Sequence, residues 1–323
     1  MKEFIIDEKY ENQRIDKYLK KLLSRASLTL IYKMIRKKDI KVNGKKVKEN
    51  YILKKDDVVS MFLYEDRFLE LSEPVSILDL DIEFDVVYED EKILIVNKPA
   101  GLLVHEDDDN CLNTLANQVL TYLYQKKEYD PSQDIGFTPA PVHRLDRNTS
   151  GLVIFGKTMR ALQDLNEMMK KRHCIKKSYL TICKGEMASC ELIDYMKKSK
   201  DQSLVRVVSK ETEGALKMHT IVECLKTNRS FSLLKVQLVT GRTHQIRLHL
   251  SHEGHPIIGD SKYGDFEMNK EIKKQYHLSH QFLHAYELSF VRPIGSLKYL
   301  QDKVIQCELP LPLKKIKTSI FND

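Results

Sequence analysis

Apolar residues near the start of the chain recur at helical spacing, first Ile15, Tyr18, Leu19 and Leu22, then Ile31, Met34 and Ile35. That rhythm lays one face of a helix against a core, so two short helices are expected. The period then shortens. Ile40-Lys41-Val42-Asn43-Gly44-Lys45-Lys46-Val47 alternates apolar and polar residues around Asn-Gly, a dipeptide that accepts positive φ at both turn positions and so predicts a hairpin. Val58 to Leu63 predicts a further strand that closes a small sheet.

From Tyr64 to Glu83 the chain turns acidic and contains Pro74, which reads as a linker or an extended crossing segment. A boundary near residue 75 divides the sequence into domains 1–75 and 76–323. Beyond it, strands are expected over Lys92 to Asn97, Leu152 to Phe155, Ser178 to Cys183, Val205 to Val208 and Phe231 to Val239, with a helix over Met159 to Lys171. Helices and strands do not alternate regularly, so a mixed α+β sheet is expected in preference to a doubly wound parallel one. The 323 residues suffice for a large and a small core, and no internal repeat is apparent.

Charge changes the picture of the first domain. Of an overall +7, the segment from Arg14 to Lys55 holds +12, leaving −5 for the rest. Such a basic module should meet a polyanion. Arg36, Lys37 and Lys38, with Lys41, Asn43 and Lys45 of the hairpin, form its candidate phosphate-contacting edge, the alternative being a solvated face. The six cysteines are scattered without a C-x-x-C pair, which suits reduced thiols. No apolar run is long enough to cross a bilayer, and the residues from Met1 to Tyr10 lack the features of a secretory signal. A cytoplasmic protein is expected.

Two stretches carry candidate chemistry. The first is His143-Arg144-Leu145-Asp146-Arg147-Asn148-Thr149-Ser150-Gly151, a polar loop that enters the apolar run Leu152-Val153-Ile154-Phe155. Composition alone reads it as a turn with a surface ion pair. The second runs from Thr240-Gly241-Arg242-Thr243-His244-Gln245-Ile246-Arg247-Leu248-His249 on to Gly254-His255-Pro256-Ile257-Ile258-Gly259-Asp260. Together with Lys177-Ser178-Tyr179-Leu180 and Val96-Asn97-Lys98-Pro99-Ala100-Gly101, these segments resemble, in order, the signature motifs of the RluA family of pseudouridine synthases. The likeness spans residues 92 to 264. The basic N-terminal segment is similar to the small S-four-type RNA-binding domain that often precedes that catalytic domain.

The resemblance implies a mainly antiparallel mixed sheet of the pseudouridine synthase type behind a small αβ RNA-binding domain. It makes Asp146 the nucleophile, Arg247 the cation that pairs with it, and Tyr179 the tyrosine beside the target base. A carboxylate nucleophile divides one hard bond exchange into two easier steps, and an arginine keeps it ionised while gripping it with planar donors. Read without the resemblance, Arg247 could be a surface phosphate contact and Tyr179 a core residue. Arg144 matches an arginine that fills the gap when the nucleotide is extruded, an extrusion the chemistry requires, and Leu145 and Leu248 are carried over as substrate contacts. Asn148 departs from the frequent Asp, and Gly156 from the frequent Ala. The implied substrate is structured RNA, large-subunit ribosomal RNA of a bacterium, with transfer RNA as the alternative, and the expected enzyme is a monomer.

Other signals are weighed and set aside. His244, His249, His252 and His255 crowd together, and His277, His280 and His284 fall at helical spacing, but no acid or cysteine sits at ligand spacing near them, so no metal is expected. Neither a P-loop nor a dinucleotide loop is present, so no cofactor is expected. A glycoside hydrolase would need a second carboxylate beside Asp146, and an RNA-holding assembly factor would not need the motif residues.

Overall fold

The computed structural model of the chain describes residues 1–8, 10–72, 77–106, 111–132, 134, 137–198 and 205–322. The boundary expected near residue 75 falls outside them. The chain divides into two compact units, one made of 1–82 with 117–140 and 156–163, the other of 83–116 with 141–155 and 164–323.

The first unit opens with β1 (Lys2–Ile5), α1 (Ile15–Leu22), α2 (Leu28–Lys37), β2 (Ile40–Val42), β3 (Val58–Met61) and α3 (Glu65–Leu71). Both expected helices form, and Ile15, Leu19, Ile31 and Ile35 share a core with Ile40 and Val59 of the sheet. Ser27 caps α2 by accepting a hydrogen bond from the Leu30 N–H at 3.2 Å, which satisfies one of the donors a helix start leaves free. The sheet is antiparallel with β3 in the middle.

Two expectations are corrected here. Asn43 and Gly44 do take positive φ, 50° and 71°, but the return limb of the hairpin reduces to one bridge between Val42 and Lys45. The reason is that the Asn43 side chain fastens the turn to the start of β3, accepting from the Val58 N–H at 2.8 Å and donating to Asp57 at 2.7 Å. The stretch from Tyr64 to Glu83 is not wholly extended either, because Phe68 and Leu71 bury one face of α3.

The chain continues with β4 (Asp85–Glu89), β5 (Ile93–Lys98), α4 (Leu115–Gln125), β6 (Ala140–Pro141), β7 (Ser150–Gly156), α5 (Met159–Lys171), β8 (Ile175–Lys184), β9 (Cys190–Lys198), β10 (Val205–Val208), β11 (Leu216–Thr227) and β12 (Phe231–Leu238). After these come α6 (Gln245–His252), α7 (Phe266–Tyr276), β13 (Leu283–Phe290), a short 3-10 turn, β14 (Val304–Gln306) and α8 (Leu311–Phe321). Strands β4 to β14 form a mixed sheet whose long path runs β10-β9-β11-β12-β8-β13-β7-β5-β4. Antiparallel pairs dominate, and β13 meets β7 in parallel at Ser150 to His284 and Gly151 to Ala285. The fold is α+β.

Two glycines set close approaches. At Gly156, where a Cβ would lie 2.8 Å from the Leu162 backbone, the fold leaves no room for alanine. At Gly151, with φ +114°, a Cβ would stand 2.3 Å from the Ala285 carbonyl oxygen, so this glycine lets β7 and β13 come together directly behind the polar loop. Gly151→Ala should therefore destabilise the protein by on the order of 3 kcal/mol or more, from left-handed strain and overpacking together. Urea unfolding measures this, and a midpoint equal to wild type would contradict the close approach.

Candidate active site

The polar loop 143–149 is delivered by β7, which buries all seven of its residues and so holds the loop's end rigidly. Its turn closes when the Asp146 carbonyl accepts the Thr149 N–H at 3.0 Å. A second clamp comes from the segment after β5. The Lys98 ammonium, fully buried, donates to the carbonyls of Pro99 (2.8 Å), Leu102 (2.8 Å) and Arg147 (3.0 Å). The Gly101 N–H adds a bond to the Arg147 carbonyl at 2.9 Å, and Arg147 Nε returns one to the Gly101 carbonyl at 3.1 Å. Burial pushes Lys98 down to about 7, against the opposing charge of Asp146.

This loop lines a cavity of about 920 Å³ together with Tyr179 of β8 and Arg247 of α6. Arg247 Nη1 donates to Asp146 Oδ2 at 2.9 Å. Its Nε and Nη2 grip Asp260 Oδ2 and Oδ1 at 2.6 and 2.9 Å, and its guanidinium carbon lies 5.3 Å from the Tyr263 ring centroid. Burial opposes charge on both Arg247 and Asp260, but each holds the other ionised, raising the arginine and lowering the aspartate. Asp260 is fully buried and also accepts the backbone N–H groups of Lys262 (2.8 Å) and Tyr263 (3.0 Å). Asp146 Oδ1 accepts no hydrogen bond among the described residues.

His244 begins α6 in left-handed backbone, φ 55°. Its Nδ1 lies 2.9 Å from the Tyr263 hydroxyl and its Nε2 3.8 Å from Asp146 Oδ2. Burial lowers its pKa, with Asp146 opposing. Tyr179 is 6% exposed, and burial, followed by the charge of Asp146, raises its pKa. It is a neutral phenol at rest. His143 Nε2 accepts the Ile154 N–H at 3.3 Å, which requires the neutral ring, in keeping with a pKa pushed down to about 3 by burial and by Lys177.

Asp146, Tyr179 and Arg247 thus meet in one cavity, and Arg144 and Leu145 line it as well. Leu248 does not. It is buried in an apolar cluster with Met196, Val205 and Met218, because on α6 it is rotated about 100° from Arg247, so its expected substrate contact is corrected. In the first unit Arg36, Lys37, Lys38 and Lys45 are exposed, and Lys41 stacks over Phe62 at 4.8 Å. The Asn43 side chain holds the turn, donating to Asp57 and accepting from Val58, and the residue is exposed.

The histidines also differ from expectation. His277 ends α7 and His284 lies in β13, so the three at helical spacing share no helix. His252 does have acidic neighbours: Asp194, His252 and Glu253 bring three donor atoms within 4.8 Å of one another, at the surface. Sequence reasoning gave no role to Asp260 or Lys98. The signal for the first was its position in the glycine-rich segment after α6, and for the second a lysine ending an apolar strand.

Comparison with known proteins adds the decisive observation. The family model for RNA pseudouridylate synthase matches residues 92–252, and that for the S4 domain matches residues 13–59. An uncharacterised RNA pseudouridine synthase of Bacillus subtilis is 34% identical over 96% of this chain and 93% of its own. The chain belongs to the RNA pseudouridine synthase family. The ribosomal large subunit pseudouridine synthase C of Vibrio cholerae is 31% identical to this synthase over 97% of the chain and 96% of the relative. Among solved structures, human RNA pseudouridylate synthase domain containing 4 shares the fold, with TM-score 0.55 and 22% identity over 72% of this chain and 92% of that one. No helix among the described residues of the synthase is long and apolar enough to cross a membrane.

Two predictions follow from the site's electrostatics. Asp260→Asn leaves the buried Arg247 short of one charge and should cost about 3–5 kcal/mol of stability, read as a lowered denaturation midpoint together with lost activity. An unchanged midpoint would contradict the buried pair. His143, His249 and His284 are pushed down by burial to about 3, 4 and 4, whereas the unfolded chain takes up these protons near pH ~6.5. The stability they contribute is present above that pH and is lost as pH falls toward 4, by up to roughly 4 kcal/mol per pH unit when all three are engaged. A melting temperature that stays level from pH 7 to pH 5 would contradict the three neutral rings.

Proposed function

We propose that this synthase converts particular uridines of bacterial large-subunit ribosomal RNA to pseudouridine in the cytoplasm, with Asp146 as the nucleophile. Residues 1–75 bind the RNA and residues 76–323 carry the chemistry. The observation that supports the assignment most is the state of Asp146. Among the described residues lining the cavity it is the one carboxylate, it is paired through a single oxygen, and its other oxygen is uncommitted. The ribosomal target is supported by the names of relatives from Vibrio cholerae and Haemophilus influenzae, both ribosomal large subunit pseudouridine synthases C at 31% identity.

In the proposed reaction the free oxygen of Asp146 forms a covalent bond to the substrate while the glycosidic bond from C1′ to N1 breaks. The base turns, C1′ joins C5 as its bond to Asp146 breaks and frees the carboxylate, the C5 proton leaves and N1 gains a proton, so no co-substrate is consumed. Covalent capture splits the exchange into two steps, and the Arg247 guanidinium holds the carboxylate in place through one charge-assisted hydrogen bond. Tyr179 takes the C5 proton. Its phenol is protonated at rest, through burial and then the charge of Asp146, so to take the C5 proton it gives up its own hydroxyl proton, which N1 of the turned base can receive. Arg144 occupies the space the extruded nucleotide leaves, returning part of the roughly few kcal/mol that unstacking costs.

The test is to incubate purified protein with unmodified ribosomal and transfer RNA and map pseudouridine by a selective adduct and reverse transcription. Wild type should give new stops at a few ribosomal uridines. Asp146→Asn should lose turnover by at least a factor of about 10⁴ while staying folded and keeping its RNA affinity. Stops confined to transfer RNA would overturn the ribosomal target, and substantial turnover by the variant would overturn the nucleophile.

A further inference from the structure

Lys177 and Tyr179 are two residues apart on β8, so their side chains leave the same face of the strand about 7 Å apart, and both line the cavity. The half-buried Lys177 ammonium lies 4.0 Å from Met169 Sδ, and a Cβ at Gly241 would stand 3.6 Å from it. No oxygen among the described residues accepts a hydrogen bond from it. The contrast with Lys98 is direct, because that ammonium has three carbonyls around it. A thioether is a weak acceptor, and a partly desolvated cation without a good partner is costly.

The surroundings increase the cost. Burial and the nearby Arg172 both lower the pKa of Lys177, and Lys177 in turn helps keep His143 neutral. Eight lysines and arginines line the cavity against one carboxylate, and that carboxylate is already paired with Arg247. Among the described residues the polar contact of its ammonium is the weak Met169 thioether, which leaves it open to a partner from outside.

We propose that Lys177 is a substrate-binding residue whose partner is a backbone phosphate oxygen of the RNA next to the target uridine, received between Lys177 and Arg172. A neutral base carbonyl would fill the hydrogen bond but leave the repulsion among cations untouched. A phosphate, the one anion every nucleotide carries, relieves both. The inference rests on the reading that an RNA strand enters this cavity.

Lys177→Met tests it, since methionine keeps the unbranched chain and removes the charge. Removing a poorly partnered cation should raise the melting temperature, by about 2 °C or more, while KM for the RNA rises roughly tenfold and kcat changes little. In binding to oligouridylate, the slope of log affinity against log salt should fall by about 0.7, the single-strand value for one lost phosphate contact, and Lys177→Arg should restore it. A lowered melting temperature would show that the fold itself uses the ammonium and would overturn the proposal. So would a salt slope and KM equal to wild type. Oligouridylate binding needs no turnover, so this result stands whichever RNA is modified, and failure of the ribosomal mapping would not be mistaken for failure of the Lys177 contact.

Discussion

The Arg247 guanidinium spends two of its donors on Asp260 and one on Asp146, and this unequal division sets the state of the site. Arginine and carboxylate left to themselves prefer a bidentate pair. If Arg247 were free to make one with Asp146, both oxygens of that carboxylate would be engaged. Asp260 prevents this by taking the fork for itself, buried among backbone N–H groups that keep it ionised. Asp146 is left bound at one oxygen with the other free, the arrangement that the proposed nucleophile requires.

Position matters as much as charge, because a carboxylate displaced by about 1 Å loses much of its reactivity. The loop that carries Asp146 is held from three sides by forces of different kinds. Strand β7 anchors its end at the close approach to β13 that Gly151 permits. Lys98 and Gly101 hold the carbonyl of the next residue, Arg147. Arg247 reaches the carboxylate from the first turn of α6, where the left-handed His244 redirects the chain. A lysine buried among carbonyls is an expensive anchor, and its proximity to Asp146 offsets part of that cost.

Much of this was legible in the sequence, and what was not had a physical reason. Periodicity found α1, α2, α5 and the cores of β2, β3, β5, β7, β8, β10 and β12, where burial dictates the pattern, but gave no strand for β4, β9, β11, β13 or β14. It missed α3, whose apolar positions Phe68 and Leu71 amount to less than two turns inside an acidic stretch. The Asn43-Gly44 turn was legible from its φ requirement, but the partner strand was not, since the hydrogen bonds from Asn43 to Asp57 and Val58 join residues fourteen and fifteen positions apart. Asp146, Tyr179 and Arg247 were found by resemblance, because their meeting depends on tertiary structure that no local pattern reports. For Leu248 the likeness misled, since helix rotation sends a neighbour of Arg247 into a different cluster.

The cavity and its cations pull in opposite directions. A folded protein minimises its energy by pairing each withdrawn charge, as it does at Lys98 and Asp260. Along the cavity that rule is broken on one side only: cations accumulate, and the single carboxylate is held by an arginine that belongs mainly to another. Repulsion of this kind is tolerated where a ligand of opposite sign removes it. On the proposed reading, phosphates entering the cavity would release free energy at the moment the target base must leave its stack, so the same crowding of cations that weakens the fold would favour the extruded nucleotide.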